Sequence, residues 1–254
     1  MIKTRIAPTP SGYLHQGNAY NFILTWLLAK ASGGQVGLRI DDIDAARSRP
    51  AYIEDIFFTL DWMGINPDFG PSGPADFTAN HSQQLKIADY RKAVDQLLTQ
   101  GRAYACTCSR AQIKVASTDH RYPGTCRPAM RRHVEGKEFA IRAALNGAAQ
   151  KVPLANKQDH STIDLETQLG DFVLWRKDNL PAYQLVSVLE DERQGINLLV
   201  RGEDLLLSSA AQIWLAQQLN YRGFPKARFL HHHQLSTTDG IKLSKTDGAA
   251  TLKA

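Results

Sequence analysis

Arg5-Ile6-Ala7-Pro8-Thr9-Pro10-Ser11-Gly12-Tyr13-Leu14-His15-Gln16-Gly17-Asn18, continued by an apolar run to Ala31, reads as a strand, a Pro/Ser/Gly loop and the opening turns of a helix. In an α/β fold that junction is where phosphates bind, on the free N–H groups of a helix N-terminus. Near the other end, Ile241-Lys242-Leu243-Ser244-Lys245-Thr246 places two lysines either side of a serine, beside Gly240. Such a loop is suited to gripping a polyphosphate. Each run is a weak signal alone. Both together, at the two ends of one 254-residue chain, are a strong one.

Between them the pattern changes character twice. Lys3 to Ala7 reads as a buried strand, Asn18 to Ala31 as a helix and Gln35 to Ile40 as a second strand. Ile53 to Met63 has helical spacing, and Ser82 to Gln100 reads as one amphipathic helix stopped by Gly101. From Cys106 to about Leu174 the chain is short-patterned and polar, with a basic cluster at Arg127, Arg131, Arg132 and His133. Tyr183 to Leu189 and Asn197 to Val200 return to buried-strand character, and Ser208 to Leu219 is helical. The expected organisation is α/β: a first half of a Rossmann-like parallel sheet over 1–102, an insert over 103–175, and the second half over 176–254.

Composition narrows the class. With 43% apolar residues the chain can bury a real core, and its net charge of +5 permits a polyanionic partner without requiring one. No apolar stretch nears the ~20 residues needed to span a bilayer, and the N-terminus lacks the apolar core of a signal peptide, so a cytoplasmic protein without membrane contact is expected. Three cysteines, an odd number, argue against a secreted disulfide framework.

Three further groups carry chemistry. Arg39-Ile40-Asp41-Asp42-Ile43-Asp44 sets three carboxylates at the end of a strand, where like charges call for a cation: a magnesium ion or a substrate ammonium. Arg5 and Arg201 suit bidentate pairing with substrate carboxylates. Cys106, Cys108 and Cys126 supply three thiolates from a tight turn and a later loop, which suits a tetrahedral zinc with one position left; His120 is a fourth ligand on general chemistry. His231, His232 and His233 point alternately if they lie on a strand, so they converge poorly as metal ligands.

The two terminal runs resemble the two nucleotide-binding motifs of class I aminoacyl-tRNA synthetases: the His-x-Gly-His motif at His15, Gly17 and Asn18, and the Lys-Met-Ser-Lys-Ser loop at Lys242 to Thr246. The Arg-x-Ala-Pro-Thr-Pro-Ser-Gly lead resembles the glutamyl branch, and within it the short, glutamyl-Q tRNA(Asp) synthetase type. The resemblance covers nearly the whole chain. It implies an adenylate-forming ligase that uses ATP and Mg2+ to activate glutamate and passes it to the queuosine base in the anticodon loop of tRNA(Asp). It implies that His15, Asn18, Lys242 and Lys245 are catalytic, with Lys245 at the transition state. ATP would lie on His15, Gly17, Asn18 and Lys245; of the three histidines, His231 is expected near the nucleotide and the rest are expected to be structural. The amino acid would lie on Arg5, Ile6, Ala7, Pro8, Thr9, Asp41, Tyr183 and Arg201.

The resemblance also implies one zinc per chain on Cys106, Cys108, Tyr122 and Cys126, an acceptor-binding-like role for the insert, no anticodon-binding domain, and a monomer. Two positions depart from the pattern. Asn18 stands in place of the usual histidine, and Asp41 in place of a glutamate that binds the substrate's amino group. A side chain one methylene shorter obliges the ammonium to move, the backbone to shift, or a water to intervene. Tyr183 is equally readable as core packing. Two rival functions remain open: the same activation chemistry with an acceptor other than tRNA, and a tRNA-binding paralogue without activity.

Overall fold

The computed structural model describes residues 1–117, 121–153, 160–233 and 252. The chain divides into two compact units: residues 1–86, 196–205 and 227–254 form the first, residues 87–195 and 206–226 the second.

The first unit begins with strand β1 (Lys3–Ile6), helix α1 (Gln16–Ala31) and strand β2 (Gln35–Leu38), with β1 and β2 parallel and Ile6 opposite Leu38. Helix α2 (Pro50–Trp62) follows, opened by the proline that fits a first helical position. Ile6, Phe22, Val36, Leu38, Ile56 and Phe77 are buried together, and the polar Thr4 and Arg5 of β1 are buried with them. A short helical turn α3 (Pro74–Asp76) leads into a single π-helical turn over Phe77–His81 and a 3-10 turn over Gln83–Lys86. The run read from sequence as one helix over Ser82 to Gln100 is therefore two elements. Its first residues are drawn off by hydrogen bonds to the acidic run, described below, and the α-helix starts only at Ile87.

Gly37 sits in β2 where the Phe69 ring crosses the strand. A Cβ there would lie 2.1 Å from Phe69 Cε2, so no side chain fits without moving the ring. The segment carrying Phe69 extends the strand pairing: Leu38 N donates to Phe69 O (2.9 Å) and Asp68 N to Val36 O (2.7 Å).

In the second unit, α4 (Ile87–Thr99) precedes an antiparallel sheet of three strands in the order β3 (Ala103–Cys106), β4 (Ala140–Ala143) and β7 (Val173–Trp175). Helix α5 (Arg110–Ala116), the hairpin of β5 (Ala149–Pro153) with β6 (His160–Asp164), and the turn α6 (Leu165–Gln168) fill out the segment that the sequence marked as irregular. Its polar residues are organised around buried Asp171, which accepts from Tyr104 Oη and from Arg127 Nη2 (2.9 Å), while Arg127 also pairs with Glu166.

Helices α7 (Tyr183–Gln194) and α8 (Leu206–Gln218) complete this unit. Here the structure corrects the sequence: Tyr183 to Leu189 is helix, not strand. Leu185, Val186, Val188 and Leu189 are all buried, so α7 is covered on several sides and its short apolar run carries no periodicity that separates helix from strand. Gly195, left-handed at φ 67°, stops it. The chain then returns to the first unit as β8 (Leu198–Gly202), parallel to β9 (Arg228–His232), with Asn197 N donating to Lys3 O (2.9 Å) at the foot of β1. No helix among the described residues is long and apolar enough to cross a membrane.

Gly37→Ala forces the Phe69 ring off β2 and should lower stability by about 1–3 kcal/mol, the usual range for overpacking a filled core. The check is a thermal or urea melt against the parent; an unchanged midpoint would show that the ring has room to yield.

Candidate functional site

The loop between β1 and α1 is held from behind. Leu14 is buried, and its N–H donates to Asp55 Oδ2 at 2.9 Å; Asp55, on α2, is itself only 3% exposed. Leu14 O accepts from Leu252 N at 3.0 Å, and the Leu252 side chain packs on the same core. His15 follows as the N-cap of α1. Its Nδ1 accepts the Gly17 N–H (3.1 Å), and its own N–H donates to Asn18 Oδ1 (3.1 Å), a reciprocal cap. Because Nδ1 is the acceptor, the neutral ring carries its proton on Nε2. Gly17 gives this arrangement room: a Cβ would stand 3.0 Å from His15 Cε1. Asn18 supplies an amide oxygen to the same cap.

The acidic run lies alongside this loop. Arg39 N donates to Ile6 O (2.9 Å) and Asp41 N to Pro8 O (2.8 Å), which lays Arg5 to Thr9 next to Asp41. The cation that three carboxylates call for is supplied at Asp41 by the chain: buried Arg39 donates Nε to Oδ1 (2.7 Å) and Nη2 to Oδ2 (3.1 Å). Gln83 Nε2 adds a bond to Oδ1 at 2.7 Å. Asp42 turns inward to Ser82 Oγ (2.5 Å) and Gln83 N (2.8 Å). Burial raises its carboxyl above the usual range, although those two hydrogen bonds oppose the shift. Gln84 Nε2 closes the turn on Asp42 O and Ile43 O, both at 2.8 Å. Ser82, Gln83 and Gln84 escaped the sequence reading. They sit in a stretch with helical spacing, and their partners are about 40 positions earlier.

Arg201 and His231 face each other in register on β8 and β9. Arg201 is 4% exposed, its guanidinium 5.4 Å from the centre of the Phe229 ring, on which the His231 ring stacks. Burial first, then the charges of Arg201 and His232, push the His231 pKa down to about 4, so this imidazole is neutral near pH 7. The other two histidines diverge from it: His232 Nε2 lies 2.9 Å from Asn21 Nδ2, and His233 Nδ1 lies 2.8 Å from Glu203 Oε2.

Arg5, Ile6, Ala7, Pro8, Thr9, His15, Gly17, Asn18, Asp41, Arg201 and His231 thus all belong to the first unit, on β1, β8, β9 and the segments that follow β1 and β2. Tyr183 opens α7 in the second unit and is 39% exposed. Lys242 and Lys245 lie outside the described residues, as does His120.

The sulfurs of Cys106, Cys108 and Cys126 lie within 4.8 Å of one another. Cys108 Sγ is 3.6 Å from Cys126 Sγ and 3.9 Å from Tyr122 Oη, which accepts the Cys126 N–H at 2.7 Å. A tetrahedral zinc with Zn–S bonds of about 2.3 Å sets its sulfurs about 3.8 Å apart, so this cluster fits, with the phenol oxygen in reach as fourth ligand. Burial pushes the Cys108 thiol up to about 11 and raises Tyr122 as well. At Cys126 burial opposes the thiolate, but hydrogen bonding from Tyr122 and the Thr107 backbone outweighs it and the thiol is lowered. A dication would supply the charge that burial withholds.

A family profile described as tRNA synthetases class I (E and Q), catalytic domain, matches residues 1–253. A protein of Symbiobacterium thermophilum named glutamyl-Q tRNA(Asp) synthetase is 37% identical over 99% of this chain and 80% of its own length. A glutamate–tRNA ligase of Aquifex aeolicus is 35% identical over 100% of the chain, which spans 53% of that enzyme. Among solved structures, the glutamate–tRNA synthetase of Elizabethkingia anophelis superposes with a TM-score of 0.80 at 24% identity, over 97% of this chain and 53% of that one, a likeness of fold.

Asp55→Ala leaves the Leu14 amide buried without its acceptor and should cost about 1–3 kcal/mol of stability. Asp55→Asn, which keeps an acceptor oxygen, should recover most of it. Equal melting points for the two variants would mean that the bond does not anchor the loop.

Proposed function

The chain belongs to the class I tRNA synthetases of the E and Q branch, a family of ligases, and from that premise we propose that it activates glutamate with ATP and transfers it to the queuosine base of tRNA(Asp). The observation that carries the reading is the near full-length identity to proteins named glutamyl-Q tRNA(Asp) synthetase. In the first step a glutamate carboxylate oxygen attacks the α-phosphorus of ATP; the new O–P bond forms as the bond to pyrophosphate breaks, and pyrophosphate leaves with the electron pair. In the second, an acceptor hydroxyl attacks the acyl carbon and AMP leaves.

The protein's task in the first step is to position charge and to stabilise what develops on the transferring phosphate. His15 donates from Nε2 to a phosphate oxygen while its Nδ1 stays on the Gly17 amide. Gly17 lets the backbone approach the phosphates closely at the start of α1, where a helix N-terminus favours negative charge. Asn18 keeps the cap closed, and neutral His231 adds a hydrogen-bonding group beside the nucleotide without adding charge. Lys242 and Lys245 bring ammonium groups to the phosphates, and magnesium, when bound, supplies further counter-charge there.

Arg5 and Arg201 take the substrate carboxylates, with Ile6, Ala7, Pro8 and Thr9 lining the pocket and Tyr183 contributing its hydroxyl. Asp41 accepts the ammonium. Cys106, Cys108, Cys126 and Tyr122 hold one zinc, which braces the segment 103–175 as an acceptor-binding insert between the halves 1–102 and 176–254 of the catalytic domain. The enzyme works in the cytoplasm, as a monomer.

Labelled glutamate offered with ATP should appear on queuosine-containing tRNA(Asp) and not on the same tRNA lacking queuosine. Label on ordinary glutamate tRNA instead, or on no tRNA at all, would overturn the choice of acceptor.

Lys245→Ala should slow adenylate formation by about 10²–10³ with little change in glutamate affinity, the cost of one contact made where charge develops. Single-turnover kinetics separate the two quantities; a rate within a few-fold of the parent would remove Lys245 from the mechanism. Freshly purified protein should hold close to one zinc per chain by elemental analysis. Cys108→Ser should lose the metal together with thermal stability, because binding to an irregular segment is part of its folding free energy.

A further inference from the structure

The group that sets the direction of Asp41 comes from outside the strand end that carries it. A single π-helical turn, Phe77–His81, closes with Ser82 N donating to Phe77 O at 2.9 Å. Such turns are rare and often stand at functional sites. This one is held by Asp76, whose Oδ1 accepts from Asn80 Nδ2 and whose Oδ2 accepts from Ser72 N, both at 2.8 Å. It delivers Gln83, 1% exposed, into the acidic run. Every polar group of that residue's side chain is then used within the run: Nε2 donates to Asp41 Oδ1 (2.7 Å) and Oε1 accepts from Ile43 N (3.2 Å).

An ionised carboxylate has about four lone-pair sites, two on each oxygen. At Asp41, Arg39 takes one site on each oxygen and Gln83 takes the second on Oδ1. Oδ1 is filled. Among the described residues, Oδ2 accepts from Arg39 alone, so one directed site remains on a side chain 11% exposed. Because Arg39 already offsets the charge, what Asp41 offers is direction more than net attraction.

We propose that Gln83 is a specificity-positioning residue: by filling Oδ1 it leaves Oδ2 as the single acceptor for a primary ammonium of the amino-acid substrate. The proposal rests on the reading of Asp41 as the ammonium acceptor. It explains how a carboxylate one methylene short can serve, since Arg39 and Gln83 fix where its free lone pair points.

Gln83→Glu tests it. The variant keeps an acceptor for Ile43 N but sets a carboxylate oxygen against Asp41 Oδ1. Among the described residues, the charged groups bonded to Gln83 are Asp41 and Asp42, with Arg39 bonded to Asp41 in turn. Repulsion between two adjacent carboxylates raises the pKa of the pair, so above that pKa they repel, and below it the shared proton restores a donor toward Asp41. In pyrophosphate exchange, the KM for glutamate should rise about tenfold at pH 8 with the KM for ATP within about twofold, and should fall back toward the parent value near pH 6. Ser82→Ala removes a bond from the same turn without touching Asp41 and gives the size of a merely structural effect.

Asp41→Asn, measured alongside, should also raise the glutamate KM. If it does and Gln83→Glu does not, the role of Gln83 is wrong and the reading of Asp41 stands. A loss in Gln83→Glu that ignores pH and matches Ser82→Ala in both KM values also overturns the proposal. If Asp41→Asn leaves the glutamate KM unchanged, the reading of Asp41 falls and Gln83 with it.

Discussion

The hydrogen bond from the Gly17 amide to Nδ1 of His15 is the constraint on which the junction of the β1 loop with α1 depends. It satisfies one of the amides that every helix leaves open at its start, and so decides where α1 begins. The same bond settles which imidazole nitrogen carries the proton. It also explains the glycine, since a Cβ at position 17 would press on the ring it caps. Capping and phosphate handling are usually weighed as competing readings of such a histidine. Here capping engages Nδ1, and the ring proton stays on Nε2.

The neighbouring acidic turn follows a different logic. Three carboxylates in four residues look from the sequence like a magnet for an outside cation. Instead Asp41 is neutralised by Arg39 from its own strand end, and Asp42 is buried against Ser82 and Gln83. A turn compensated in this way can stand preformed, without a bound cation. Burial works in the same sense at His231, which is held neutral beside Arg201.

Much of this was legible in the residues. The β1–α1–β2 unit announced itself because a short strand, a Pro/Gly loop and a helix with a capping histidine are all local signals. The three cysteines were read as one cluster from spacing alone, and their sulfurs do gather. Helix α7 was misread because a helix buried on several sides loses the polar stripe that marks its period. Gln83 was missed for a different reason: its value lies in a contact with a carboxylate 42 positions earlier, and no local pattern encodes that. The loop with Lys242 and Lys245 was legible as a motif, and its geometry lies outside the described residues.

Amino-acid-dependent ATP–pyrophosphate exchange, run over the protein amino acids with and without tRNA, tests the central claim most directly. The account predicts exchange with glutamate well above every other amino acid. Folded, zinc-loaded protein that supports exchange with none of them, or with another amino acid in preference to glutamate, would contradict it.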